Sequence, residues 1–151
     1  MNTRLRQSGT TTVEFAIVGV VLALVVFGVI EFSRLIFTMN ALQEGARRGA
    51  RVAAVCQVGN ANVAKAAVLM EKMPDLSTAN VVVEYLDANG AVLGNAAGSY
   101  ASIAYVRVRI VDYSVSLRLP FLNPTFNVPE FSSTLPRESL GIPRYGAPPE
   151  C

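Results

Sequence analysis

FAIVGVVLALVVFGVI, Phe15 to Ile30, contains no charged residue, and its reading decides the fold. As a helix this run spans roughly 24 Å at about 1.5 Å per residue. A bilayer core asks for about 20 residues. Adding Thr10 to Val13 brings the length into range and places Glu14 at or inside the apolar boundary. The membrane-spanning part is expected at about residues 13–30. Upstream, Met1 to Gly9 (MNTRLRQSG) is short, polar and basic. Downstream, Glu31 to Val55 holds no proline and is rich in helix formers. One continuous helix is therefore expected from Thr10 to about Val58, roughly 73 Å long. Its stop signal is Val58-Gly59-Asn60. Its second half projects beyond the membrane.

The chain has 151 residues, 52% of them hydrophobic, a length that fits one domain with a core of modest size. Thirteen basic residues face eleven acidic ones, for a formal charge of +2. Arg4 and Arg6 account for that excess, so a chain beginning at Thr10 is balanced. Balance argues against a nucleic-acid partner, which needs a basic surface. Arg47, Arg48 and Arg51 read as the wet face of the helix. Histidine is absent, which removes the usual general base of Ser and Cys hydrolases and the commonest zinc ligand. Two cysteines alone cannot build a structural zinc site. No cofactor, no metal site and no catalytic constellation is expected.

Beyond the apolar run, Ala41, Gly45, Gly49 and Ala53 recur every fourth residue, with Ala46, Ala50 and Ala54 beside them. Each glycine weakens the helix by about 1 kcal/mol relative to alanine. A smooth stripe lets another backbone approach closely. It packs either on this chain's own sheet or on a neighbouring subunit. A second helix is expected at Asn62 to Met73, capped by Asn62 and ended by Pro74. Val81 to Leu86 reads as a strand, Asp87 to Gly90 as a hairpin turn, and Ala91 to Leu93 as a short returning strand. Ile103 to Tyr113 is the best strand: Val106, Val108 and Ile110 fall on one face and Arg107 and Arg109 on the other. Ser114 to Leu119 continues it or forms a further strand. Pro120, Pro124 and Pro129 break the next stretch. Phe131 to Leu135 is a last edge strand, and residues 143–151 form a Pro-rich tail. The expected class is α+β: a long N-terminal transmembrane helix packed on a small antiparallel sheet. Residues 59–142 make the exported domain.

Gly9-Thr10-Thr11-Thr12-Val13-Glu14-Phe15 carries the functional information. A carboxylate in an apolar helix costs roughly 2.5–3.5 kcal/mol on insertion scales, so it wants a cationic partner. If the chain is cut after Gly9, a new amino group appears on Thr10, one helical turn from Glu14 and on its face. A staggered neighbouring subunit can bring a second amino terminus to the same place.

A basic leader, Gly before a cut, Glu five residues on, then an apolar helix: this order resembles a type IV prepilin. Glu14-Phe15, the sequence Ile30-Glu31-Phe32-Ser33-Arg34-Leu35 and the stretch Ala41-Leu42-Gln43-Glu44-Gly45-Ala46-Arg47-Arg48-Gly49-Ala50-Arg51 narrow it. They resemble TadE-like minor pilins of the Tad (Flp) pilus machinery, over about residues 5–55. Leu135-Pro136-Arg137-Glu138 resembles, more weakly, the Arg-Glu ending common in that family. The resemblance implies removal of residues 1–9 by a membrane prepilin peptidase at Gly9/Thr10. It also implies partnership with other pilins, and a role in pilus assembly, adhesion or surface attachment. It places the chain in a bacterial inner membrane, single-pass, with the C-terminal domain periplasmic or carried into the extracellular pilus. Arg4 and Arg6 hold the leader in the cytoplasm.

Three other readings compete. An ordinary secretory signal is disfavoured because Glu14 interrupts the apolar segment and no small-x-small site follows Ile30. An uncleaved anchor carrying a binding domain would make Gly9 and Glu14 accidental. An enzyme would need a constellation that the chain lacks. Cys56 and Cys151, if exported, meet an oxidising compartment and are a candidate disulfide. Free thiols and an intermolecular bond stay open alternatives.

Overall fold

The computed structural model describes residues 9–68, 73, 75–119, 122–142 and 151. Arg4 and Arg6 of the expected leader, and residues 143–150 of the expected tail, lie outside them. The long helix α1 runs Thr10–Val55, 46 residues. At about 1.5 Å per residue it is roughly 69 Å long.

The helix stops three residues before the expected Val58, for a physical reason that is not local. Cys56 turns extended, with φ −82° and ψ 161°. The last carbonyls, orphaned at any helix end, are taken by the far end of the chain. Ala54 O accepts from the backbone of Glu138 at 3.1 Å and of Leu140 at 3.3 Å. Val55 O accepts from Gly141 N at 2.6 Å and from the Ser139 hydroxyl at 3.1 Å. Gly59 and Asn60 form the turn after the stop rather than the stop itself.

The second helix, α2, spans Ala61–Val68. Its cap is Asn60, not Asn62: Asn60 Oδ1 accepts from Asn62 N at 2.8 Å. Met73, expected as its last residue, is not helical, and residues 69–72 are outside those described.

Among the described residues five strands follow: β1 (Val81–Leu86), β2 (Tyr105–Ile110), β3 (Ser114–Ser116), β4 (Thr125–Asn127) and β5 (Phe131–Pro136). β1, β2 and β5 form one antiparallel sheet in the order β1-β2-β5, and β3 and β4 a separate hairpin. The class is α+β. The strand expected over Ile103 to Tyr113 is shorter at both ends. Ile103 closes a 3₁₀ turn on Tyr100. Asp112, at φ +53°, bends the chain out of the sheet, and the Asn80 amide holds that bend through the Val111 and Asp112 carbonyls at 3.2 and 3.1 Å. The expected return strand Ala91 to Leu93 reduces to one bridge, Leu86 to Val92. Its turn closes as expected, with Asp87 Oδ1 accepting from the backbone of Asn89 and Ala91 at 2.8 Å each. The short β4 was hidden among prolines.

Alternation on β2 decides how the layers meet. Val106, Val108 and Ile110 are buried against α1, and Arg107 and Arg109 face outward. Among the described residues the core has two clusters stacked along the helix. The outer one joins Ala50, Ala53 and Cys56 to Val63, Tyr85 and Val106. The inner one joins Leu42 and Ala46 to Ile110, Tyr113 and Val115.

Candidate functional site

Thr10 is the first helical residue and Gly9 the residue before it, with φ −86° and ψ −35°. Val13 N donates to Gly9 O at 3.4 Å. The expected cut therefore falls where helix begins. Every residue from Gly9 to Phe27 is exposed, Glu14 and Phe15 included. Among the described residues, little of the chain covers the apolar surface of this part of the helix. It is long and apolar enough to cross a membrane. Thr10 to Ile30 spans roughly 31 Å at about 1.5 Å per residue, close to a hydrocarbon core of about 30 Å.

The character of α1 changes at Glu31, the first buried residue along it. Glu31 is 8% exposed. Its Oε2 accepts from Arg34 at 2.9 Å and from the backbone N–H of Arg118 at 3.2 Å. Arg34 also donates to the Ser116 carbonyl at 2.6 Å. A charge pair thus clamps the β3–β4 hairpin to the helix immediately after the apolar run. In the sequence, Glu31 and Arg34 stand out only through the family resemblance. The signal that could have found the clamp is an acid and a base at i,i+3 on the first turn past the apolar run.

Ala41, Gly45, Gly49 and Ala53 are all buried, and what approaches them belongs to the same chain. A Cβ on Gly45 would lie 2.5 Å from the Ala67 carbonyl oxygen of α2. One on Gly49 would lie 3.0 Å from both Ala67 Cβ and Val108 Cγ1. The stripe is the seat of α2 and β2. Gly19 and Gly28, in the apolar half, have open space around them.

On the outward face of the sheet, Glu84 pairs with Arg107 at 2.6 Å and Arg109 at 3.2 Å, and Arg109 reaches Glu130 at 3.0 Å. These cations are partnered. Arg47, Arg48 and Arg51 are exposed on α1, with Arg48 on Glu44 at 3.1 Å. Cys56 and Cys151 are joined, their Cα atoms 5.9 Å apart and 95 positions apart in sequence. Asn62 Nδ2 donates to the Cys151 carbonyl and holds the same terminus. Among the described residues, no group of three His, Cys, Asp or Glu is placed to hold a metal ion.

Residues 9–51 match the model of the family described as TadE-like protein. The N-terminal segment is TadE-like. The matched stretch begins at Gly9, contains Glu14, Phe15, the Glu31–Arg34 clamp and Ala41, Gly45 and Gly49, and stops before Ala53 and Cys56. No curated protein and no solved structure matches the chain. Such a match over residues 9–51 suggests a component related to the Tad pilus machinery. Joined to an exposed apolar helix of this length, it indicates a membrane-anchored protein.

Proposed function

We propose that this chain is a minor pilin-like component of a Tad (Flp) pilus, matured by a prepilin peptidase that cuts between Gly9 and Thr10. The observation that carries the reading is Glu14: an exposed carboxylate one turn into an otherwise apolar exposed helix. After the cut, the amino group of Thr10 sits at a helix start, where the helix's own unpaired N–H groups already make a positive end. Glu14 lies one turn along on the same face. It offsets the amino group of its own chain, or that of a neighbouring subunit staggered along a helix bundle. Either pairing relieves the roughly 2.5–3.5 kcal/mol that a lone carboxylate costs in lipid.

In such a bundle the residues Phe15 to Phe27 exchange lipid for the apolar helices of other pilins. The domain built on the second half of α1 stays on the far side, with its core closed. The small-residue stripe supports that division: it is filled by α2 and β2, so the bundle-forming surface is the half of α1 before Glu31. The role is structural rather than catalytic, in pilus assembly, adhesion or surface attachment.

The test uses a strain that makes only the variant. Glu14→Ala and Glu14→Gln are expected to be processed normally but to lose co-purification with the other pilins and to lower pilus counts. Removing one member of a poorly solvated charge pair costs about 3–5 kcal/mol. Wild-type association in both variants would remove the assembly role of Glu14.

A further inference from the structure

The β3–β4 hairpin descends along α1 toward the apolar run. Val115 packs with Leu42 in the inner core cluster. One step further, Ser116 O meets Arg34. Further still, Arg118 N meets Glu31. Beyond the paired strands the hairpin continues, with Leu117 N on Pro124 O at 3.0 Å and Leu119 and Leu122 exchanging backbone bonds at 3.0 and 3.1 Å. At that level Leu119, Arg118 and Asn123 share a groove with Phe27. The matching helix positions fall steadily, from 42 through 34 and 31 to 27. Phe27 lies three residues inside the apolar run, roughly 5 Å below its end at about 1.5 Å per residue.

We propose that the end of this hairpin is an interfacial membrane anchor, with Leu119 and Leu122 seated in the lipid surface around α1 and Arg118 at headgroup level. The proposal rests on the reading that α1 crosses the bilayer. If it does, the level of Phe27 is lipid, and whatever shares its groove touches lipid too. The surface chemistry fits. Leu122 is 65% exposed, so its side chain is free to enter a membrane interface. Arg118, exposed beside it, has a long apolar stem under a charged head, suited to a phosphate-bearing boundary. The Glu31–Arg34 clamp then fixes the angle between the domain and the membrane. A single helix would leave the domain free to swing; a second contact beside it removes that freedom.

The chain has no tryptophan, so single-Trp variants report depth cleanly. Full-length Leu122→Trp and Asn123→Trp would be reconstituted in lipid nanodiscs, with Phe27→Trp marking the helix and Val92→Trp the membrane-distal end of the domain. Brominated lipids and aqueous acrylamide are the two quenchers. We expect Leu122→Trp and Asn123→Trp to be quenched several-fold more strongly by shallow-brominated lipid than Val92→Trp, and to be shielded from acrylamide. Phe27→Trp should respond to lipid bromines at least as strongly. If the hairpin reporters behave like Val92→Trp while Phe27→Trp stays lipid-quenched, the anchor is wrong and the membrane-spanning helix stands. If they are shielded from acrylamide but untouched by bromines, a second copy of the chain covers the hairpin and the lipid assignment fails. If Phe27→Trp escapes the lipid quencher as well, the spanning helix and the anchor fall together.

Discussion

Gly28 and Gly45 occupy the same helix and should answer the same substitution in opposite ways. At Gly28 an added methyl meets open space, and alanine brings about 1 kcal/mol of helix propensity. At Gly45 it would meet the Ala67 carbonyl oxygen at 2.5 Å, and a backbone oxygen cannot turn aside. Overpacking of this kind costs about 1–3 kcal/mol, which outweighs the propensity gain. Gly45→Ala is thus expected to lower the melting temperature of the detergent-solubilised protein by several degrees, with Gly28→Ala unchanged or higher. Equal melting temperatures for the two variants would mean that the stripe does not seat α2. Tyr85 gives a pH test. Burial pushes its phenol above the ordinary value of 10.0, and the nearby Gly59 backbone pulls the other way. Its hydroxyl is buried, beside the Gly59 backbone. A raised folded pKa means that the folded state holds this proton more tightly. The contribution is therefore complete below pH 10 and is lost as pH rises through the folded value. Tyr113 shifts the same way, again chiefly through burial. Stability should fall above pH 10, and Tyr85→Phe should make that fall shallower. An unchanged alkaline limb in Tyr85→Phe would contradict the assignment.

Elements differ in how much of themselves the sequence displays. The long helix is legible because a charge-free run followed by small-residue periodicity has one reading. β2 is legible because Val106, Arg107, Val108, Arg109 and Ile110 alternate. What stayed hidden depends on distant parts of the chain. The end of α1 is set by Glu138 to Gly141, more than eighty residues away, and nothing near Val55 announces it. Gly141 shows how specific that cap is: its φ is +76°, and a Cβ there would lie 2.9 Å from the Gln57 backbone. The Cys56–Cys151 bond ties the same region, closing a loop that chain-entropy models value at about 4–5 kcal/mol as an upper figure. Reduction, or Cys151→Ser, is expected to lower the unfolding midpoint and to speed hydrogen exchange at the last turn of α1. Unchanged exchange there would show that the terminal segment caps the helix without its cross-link. The Glu31 clamp makes a similar prediction for the hairpin. A hydrogen bond to a charged group is worth about 1.5–3 kcal/mol, so Glu31→Ala should raise exchange at Ser114 to Leu119 and leave β1 and β2 protected. Uniform exchange across the sheet in that variant would mean that Glu31 supports the whole domain instead.

Across the whole molecule, one helix does two jobs, and the division falls at Glu31. Before it, α1 is exposed at nearly every position and offers an apolar cylinder interrupted by Glu14. After it, the same helix is the spine of a closed α+β domain. The junction Gly9/Thr10 and Glu14 could be proposed from sequence because both lie within about one turn of one helix. The fate of the stripe could not, since a smooth surface fits its own domain or a neighbour equally well until α2 is in place. The central claim is that this chain enters a pilus bundle with a new amino terminus opposite Glu14, and everything in that claim depends on the cut. Intact-mass spectrometry of the protein extracted from membranes of a cell with a working pilus system tests it most directly. The expected result is a chain lacking residues 1–9 and beginning at Thr10, two hydrogens lighter than its fully reduced form; an intact chain beginning at Met1 would contradict the proposal.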